Sequence, residues 1–198
     1  MSSEPLVLGF DTSAAHCAAA LLRGPAVLAS RFEETSRGQA ERLMPILEDI
    51  LEEAGVTWSA LDAIGVGVGP GNFTGIRIAV SAARGLALGL QIPAVGVDGF
   101  EARRAPGSLA AIPAPRDQVY AALPGEAPRL MPLLEAADAA RVAGLTFAPE
   151  ASPAGLAQRI AELAAQRYPD TTKAPAPLYL RAADAAPARD LPPQLIDG

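Results

Sequence analysis

The apolar positions change their spacing several times along the chain. Leu6 to Phe10 is a short continuous apolar run ending in the polar turn Asp11-Thr12-Ser13, the pattern of a buried strand and its exit. Two further apolar runs, Cys17 to Leu22 and Ala26 to Phe32, are divided by Gly24-Pro25, so the opening segment predicts a meander of three strands. The spacing then becomes helical. Leu43, Ile46, Leu47, Ile50, Leu51 and Ala54 fall at offsets 0, 3, 4, 7, 8 and 11, one face of a helix that Gly55 stops. Glu48, Asp49, Glu52 and Glu53 lie off that face and read as its solvated side. Pro45 sits near the start, where it bends the first turns or marks their beginning.

Ala63 to Val68 predicts another strand, Ile76 to about Leu90 a second helix, and Gln91 to Val97 a further strand. Strand, helix, strand, helix, strand after a meander predicts an α/β layer fold with a mixed sheet. The second half is less strongly patterned. Leu109 to Ile112 and Val119 to Leu123 predict a strand pair, and Glu135 to Ala143 a short helix. Ser152-Pro153 opens a helix running to about Arg167, with the stripe Leu156, Ile160 and Leu163, and Pro169 stops it. Lys173 to Pro177 reads as an extended linker into Leu178-Tyr179-Leu180, and Ala182 to Gly198 as a loose tail.

The helix from Ile76 is apolar on two sides. Ile76, Ala79, Val80, Ala83, Leu86, Ala87 and Leu90 cluster on one side, which is expected to cover the sheet. The opposite side carries Ile78, Ala82, Gly85 and Gly89, and Arg77, Ser81, Arg84 and Leu88 form a flank between them. A helix lying on a sheet is expected to be polar outside, whereas this outer stripe is small and apolar. Small residues let a second helix approach closely, and two mid-helix glycines cost roughly 1 kcal/mol each against alanine. Close packing offsets that cost. The partner is either the helix around Leu43 to Ala54 or a helix of another chain.

Gly69-Pro70-Gly71-Asn72-Phe73-Thr74-Gly75 joins the strand to this helix. Thr74 is a candidate cap, and the free N–H groups of a helix start favour an anion. The loop therefore reads either as a phosphate cradle or as a tight strand-to-helix turn. It lacks the Gly-Lys-Ser/Thr ending of a Walker loop, since Ile76-Arg77 follows Gly75. Thr74 also stands where a dinucleotide fingerprint starting at Gly69 and Gly71 needs Gly or Ala.

Composition removes much other chemistry. The 198 residues are 50% hydrophobic and 19% charged, enough for one large or two small domains with a real core. A net charge of −6 makes the chain a poor autonomous binder of nucleic acid. The single cysteine, Cys17, excludes an intrachain disulfide and fits a reducing compartment. The single histidine, His16, follows the Asp-Thr-Ser turn, reads as a turn or surface residue, and leaves no His-rich metal site. Lys173 is the only lysine. No basic leader precedes the first strand. The most apolar stretch, Ile64 to Pro93, is interrupted by Gly69-Pro70-Gly71 and two arginines, so no membrane span or membrane partner is expected and the cytosol is the expected address.

Several of these segments resemble one family. Asp11-Thr12-Ser13, Glu41-Arg42-Leu43-Met44-Pro45, and above all Gly69 to Ile78 look like the TsaB (YeaZ) family. Ala83-Arg84-Gly85-Leu86-Ala87, Ile92-Pro93, Gly96-Val97 and Pro177-Leu178-Tyr179-Leu180-Arg181 continue the likeness, which is dense over residues 6–101. The resemblance implies an actin-like, Hsp70-like ATPase (ASKHA) fold of two related halves, mixed sheets flanked by helices, the second half reduced. It implies domains at 1–101 and 102–181, with 182–198 as the tail. It also implies a non-catalytic scaffold that supports TsaD in threonylcarbamoyl transfer to the tRNA adenosine beside the anticodon, with TsaE as an associated ATPase. Contact with tRNA would run only through the complex, and the chain alone would form a homodimer.

Pairing in the family runs through the N-terminal helices. Here that places a partner interface on Leu43, Ile46, Leu47, Ile50, Ile78, Ala82, Gly85, Gly89, Arg77 and Arg84. Asp11, Thr12, Ser13, Gly69, Gly71, Thr74 and Gly75 form the candidate ligand loop. No catalytic residue, metal or cofactor is expected: TsaD-like relatives use two helix histidines for metal, and Gln39-Ala40-Glu41 stands where the TsaB family often has His-Ser-Glu. The competing reading is a small enzyme of the same fold, a phosphotransferase or a glycoprotease-like peptidase, against which stand the absent Gly-Gly loop and the absent nucleophilic triad.

Overall fold

β1 (Leu6–Asp11) is buried at every position, which explains why its apolar run does not alternate: helices cover both of its faces. The computed structural model describes residues 4–35, 37–147, 149 and 153–180. β1 pairs antiparallel with β2 (His16–Arg23), which pairs antiparallel with β3 (Ala26–Glu34), the expected meander. α1 (Gln39–Glu53) follows, then β4 (Ala63–Gly67), α2 (Phe73–Leu90) and β5 (Ala94–Val97). β4 runs parallel to β1 and β5 parallel to β4, giving a mixed sheet in the order β3-β2-β1-β4-β5.

Alternate side chains of the central strands go to opposite faces. Leu6, Leu8 and Phe10 of β1 and Ile64 and Val66 of β4 join Leu43, Leu47 and Ile50 of α1 and Ile76, Ala79 and Ala83 of α2 in one core. Val7 of β1, Ala18 and Ala20 of β2 and Ala63 of β4 face the other way. That second face is covered by α5 (Pro153–Arg167) through Leu156, Ala157, Ile160, Ala161 and Ala164. The helix sits close enough that a Cβ on Gly65 would lie 2.8 Å from the Ala164 Cβ. The helix expected in the 102–181 unit thus completes the first sheet, and 101/102 does not divide two separate packing units. Its small residues Ala157, Ala161 and Ala164 lie against Gly9 of β1 and Gly65 of β4.

The second half is otherwise small. After α3 (Gly99–Ala102) come β6 (Ser108–Leu109), β7 (Ala111–Ala114), β8 (Gln118–Ala121), β9 (Arg129–Pro132), α4 (Leu133–Val142) and β10 (Thr146–Phe147). β7, β8 and β9 form an antiparallel sheet with Ile112 opposite Tyr120, and β6 pairs parallel with β10. Leu109, Val119 and Met131 pack with Ala136 and Ala140 of α4 in a core of their own.

Three element ends differ from the sequence reading. α2 begins at Phe73, because Asn72 caps it by accepting from the Gly75 N–H at 2.9 Å; Thr74 lies inside the first turn and is not the cap. β5 begins only at Ala94, because Gln91 closes α2 in a left-handed conformation at φ 58° and Pro93 has no N–H to give. Leu178 to Leu180, which the family resemblance places in a C-terminal strand, forms no strand; Leu178 donates one backbone bond to the Val68 carbonyl at 2.8 Å, and Pro175 and Pro177 have no N–H for a ladder. Ser152 and the tail 182–198 lie outside the described residues.

With its earlier start, α2 has 18 residues at a mean hydropathy of 1.3, long and apolar enough to cross a membrane by length and composition. Its apolarity has another cause here, since Ile76, Ala79, Val80 and Ala83 are buried on the sheet.

Candidate functional site

The turn after β1 and the loop before α2 meet at the end of the sheet. Asp11 is 2% exposed, and its Oδ1 accepts from the Ser13 N–H at 2.9 Å, the Ser13 hydroxyl at 2.8 Å and His16 Nε2 at 2.8 Å. Burial pushes the Asp11 carboxyl upward. The His16 hydrogen bond and charge, with the two Ser13 donors, outweigh burial and hold it below the ordinary carboxylate range. His16 is therefore not the surface residue that its place beside a polar turn predicts; it opens β2, is buried, and orients Asp11. The Gln39 side-chain amide stitches the same turn by donating to the carbonyls of Thr12, Ala14 and His16.

The glycine loop lies directly on this turn. A Cβ on Gly67 would strike the Asp11 carboxylate, one on Gly71 the Ser13 carbonyl, and one on Gly75 the Thr12 carbonyl. Asn72 N–H donates to the Ser13 carbonyl at 2.6 Å, and the Thr12 hydroxyl donates to the Gly75 carbonyl at 2.6 Å. The N–H of Ile76 goes to the Asn72 carbonyl at 2.9 Å. So Asp11, Thr12, Ser13, Gly71 and Gly75 lie in contact with one another, whereas Gly69 faces Ile76 and the Leu178 carbonyl, and Thr74 sits in the first turn of α2. The Thr12 and Ser13 hydroxyls and the N–H groups of Ser13, Asn72 and Gly75 are spent within the cluster, and Gly71 and Gly75 serve the approach of one backbone to another.

Ser13 donates to Asp11 and not to His16, so the three polar groups form no nucleophile-and-base relay. Among the described residues, no three His, Cys, Asp or Glu side chains stand close enough to hold a metal ion. The Cys17 thiol is buried, and burial pushes its pKa up to about 11. Sequence reading passed over Arg103. It donates to the Gly99 carbonyl at 3.2 Å, and its pKa is drawn down by burial against the opposing pull of Asp11.

The candidate interface divides in two. Leu43, Ile46, Leu47 and Ile50 are 1%, 2%, 0% and 0% exposed, so they are sheet-facing core and not interface. They form the apolar stripe of α1, and that stripe is consumed by β2, β3 and α2. Ile78 and Ala82 are half-buried against the same core, whereas Gly85 and Gly89 are exposed, with no atom of the described residues within 4 Å of where a Cβ would stand. The α1–α2 contact therefore does not cover the outer end of α2. Leu88, on its flank, is 82% exposed. Arg77 and Arg84 are exposed; the Arg77 guanidinium lies 3.8 Å from the Phe73 ring centroid and its Nε donates to the Tyr179 hydroxyl at 3.1 Å.

Comparison with known proteins agrees with this architecture. A family model described as "TsaD: tRNA N6-adenosine threonylcarbamoyltransferase" matches residues 32–126. The tRNA threonylcarbamoyladenosine biosynthesis protein TsaB of Escherichia coli is 40% identical over 91 residues, 46% of this chain and 39% of that protein. The TsaB of Haemophilus influenzae is 34% identical over 123 residues, 58% of this chain and 51% of that protein. The chain thus spans about half the length of these curated relatives, or less. An uncharacterized protein of Mycobacterium tuberculosis is 33% identical over 204 residues, covering 91% of this chain and 94% of its own length. The solved structure of YeaZ from Pseudomonas aeruginosa superposes with a TM-score of 0.68 at 30% identity, covering 89% of this chain and all of that one.

Proposed function

Because this chain belongs to the TsaB (YeaZ) family and has its actin-like, Hsp70-like fold, we propose that it is a non-catalytic scaffold subunit for tRNA threonylcarbamoyladenosine synthesis, binding a TsaD-type transferase through α2. The observation that carries this reading is the outer end of α2. Gly85 stands exposed inside the helix, at roughly 1 kcal/mol against alanine, and Gly89 stands exposed in its last turn; among the described residues nothing lies within 4 Å of where either Cβ would be. A helix from another chain would take advantage of their smallness, because it could cross at the short distance that small residues permit.

The collapsed Asp11–Ser13 turn supports a non-catalytic role. Its donors and its carboxylate are engaged internally, which leaves little for a phosphate to bind. In this reading tRNA is reached through the complex, a TsaE-type ATPase joins that complex, and the site of action is the cytoplasm. Without the transferase, the same self-complementary face would pair two copies.

The test is co-purification with the TsaD-type transferase of the same organism. Gly85→Leu should abolish association while leaving the isolated chain folded, with a melting temperature equal to or above that of wild type, since among the described residues the new side chain meets open space and leucine is the better helix former. Retention of wild-type affinity by that variant would refute the assigned face, and failure of the wild-type chain to bind would refute the scaffold reading itself.

A further inference from the structure

A groove runs along the flank of α2, between the helix and the segment 171–177 that returns across the sheet end. One stretch, of about 500 Å³, is lined by Ile92, Pro93 and the buried Pro175, with the exposed Leu88, Arg84 and Lys173 at its rim. The next stretch, of about 330 Å³, is bounded by Arg77, Ser81, Arg84 and Pro177. Arg84 borders both, so the two stretches adjoin there, and Arg77, Arg84 and Lys173 give them three cations. Among the described residues that line them there is no carboxylate, although the chain as a whole bears a net charge of −6. Arg84 and Lys173 are exposed and make no ion pair among the described residues.

We propose that this groove receives an acidic segment of the partner polypeptide, a stretch whose carboxylates meet Arg84 and Lys173 and whose apolar side chain fills the floor beside Leu88. The inference rests on the scaffold reading above and extends it, since Gly85 lines the same groove and makes it continuous with the proposed helix contact. Two features select a polypeptide over a nucleic acid. The floor between the cations is apolar, which suits a buried leucine-like or aromatic side chain and offers nothing to a sugar-phosphate. The overall field of an acidic chain repels a polyanion, whereas a short acidic segment meets only the local cations. A leucine 82% exposed between charged neighbours is the expected centre of such a contact, with Arg84 and Lys173 as its rim.

The experiment uses the full chain and the purified transferase of the same organism. Affinity is measured for wild type, the double variant Arg84→Glu with Lys173→Glu, and Gly85→Leu, at about 50 mM and about 500 mM salt. Charge reversal should weaken binding about tenfold or more at low salt, and the deficit should shrink to about threefold or less at high salt, as for steered and rim contacts. A photo-crosslinking residue at Ser81 should attach to a transferase peptide rich in Asp and Glu. If charge reversal leaves transferase affinity unchanged while Gly85→Leu abolishes it, the groove assignment is overturned and the scaffold reading stands. If charge reversal spares the transferase but weakens tRNA retention by the complex, the occupant is RNA and the proposal fails. If wild type does not bind the transferase at all, both readings fall together.

Discussion

The Thr12 hydroxyl donates to the Gly75 carbonyl at 2.6 Å, tying the exit of β1 to the first turn of α2 across 63 residues of sequence. The same two residues are in contact at the backbone, because a Cβ on Gly75 would overlap the Thr12 carbonyl. Backbone cannot yield as a flexible side chain can, so Gly75→Ala should destabilise the fold by at least about 2 kcal/mol. Thr12→Val, which removes a buried hydrogen bond to a carbonyl that keeps its place in the helical ladder of α2, should cost about 0.5–1.5 kcal/mol, and Thr12→Ser less. Urea unfolding of the three variants measures this; an unchanged midpoint for Gly75→Ala would show that the loop and the turn are not in contact.

Asp11 makes stability depend on pH in a definite direction. Its folded pKa is held below the ordinary value of about 3.9. A depressed carboxylate contributes its full stabilisation above the unfolded pKa and loses it as pH falls through the folded one. The wild-type chain should therefore lose stability on acidification from the ordinary carboxylate range downward. Asp11→Asn should already be weaker at pH 7 by about 2–4 kcal/mol, because it takes away the charge that His16 and both Ser13 donors address. Its acid limb should be shallower. Parallel stability–pH curves for the two proteins would contradict this account.

Leu47 separates core from interface. It is fully buried beneath α1, so Leu47→Ala should destabilise by about 2–5 kcal/mol through the cavity it leaves. The molecules that remain folded should bind the transferase as wild type does. A loss of affinity per folded molecule, read by titration against circular dichroism, would return α1's apolar stripe to the interface.

How far the sequence discloses all this depends on the range of the interaction. The meander, the two N-terminal helices and the two-sided apolarity of α2 are local periodicities, and they are visible in Leu6–Phe10, Leu43–Ala54 and Ile76–Leu90. The place of α5 is not local. Its stripe shows that Leu156 and Ile160 are buried, but nothing in it says that they are buried against Val7 and Ala63, more than ninety residues earlier. His16 was legible only as a histidine near a polar turn, since its bond to Asp11 depends on β2 folding back beside β1. The Asn72 cap was legible, because asparagine ranks with the best N-cap residues, but Thr74 competed for the same role. The interface list erred at Leu43 to Ile50 because a helix period marks an apolar face without saying which neighbour covers it.

The two glycines of α2 set stability against association. At Gly85 and Gly89 a Cβ would meet no atom of the described residues within 4 Å, and neither residue has the positive φ that only glycine tolerates. Alanine at either position should therefore stabilise the isolated chain by up to about 1 kcal/mol, through helix propensity and a less disordered unfolded state. If the glycines serve only the fold, such variants should be better in every assay. If they hold a crossing helix close, each added methyl thickens the contact and should weaken binding of the transferase, while thermal unfolding shows a more stable monomer. The opposite signs of the two effects in one variant are what an interface glycine requires. A Gly85→Ala, Gly89→Ala double variant that is both more stable and as well bound as wild type would remove the reason for keeping glycine there.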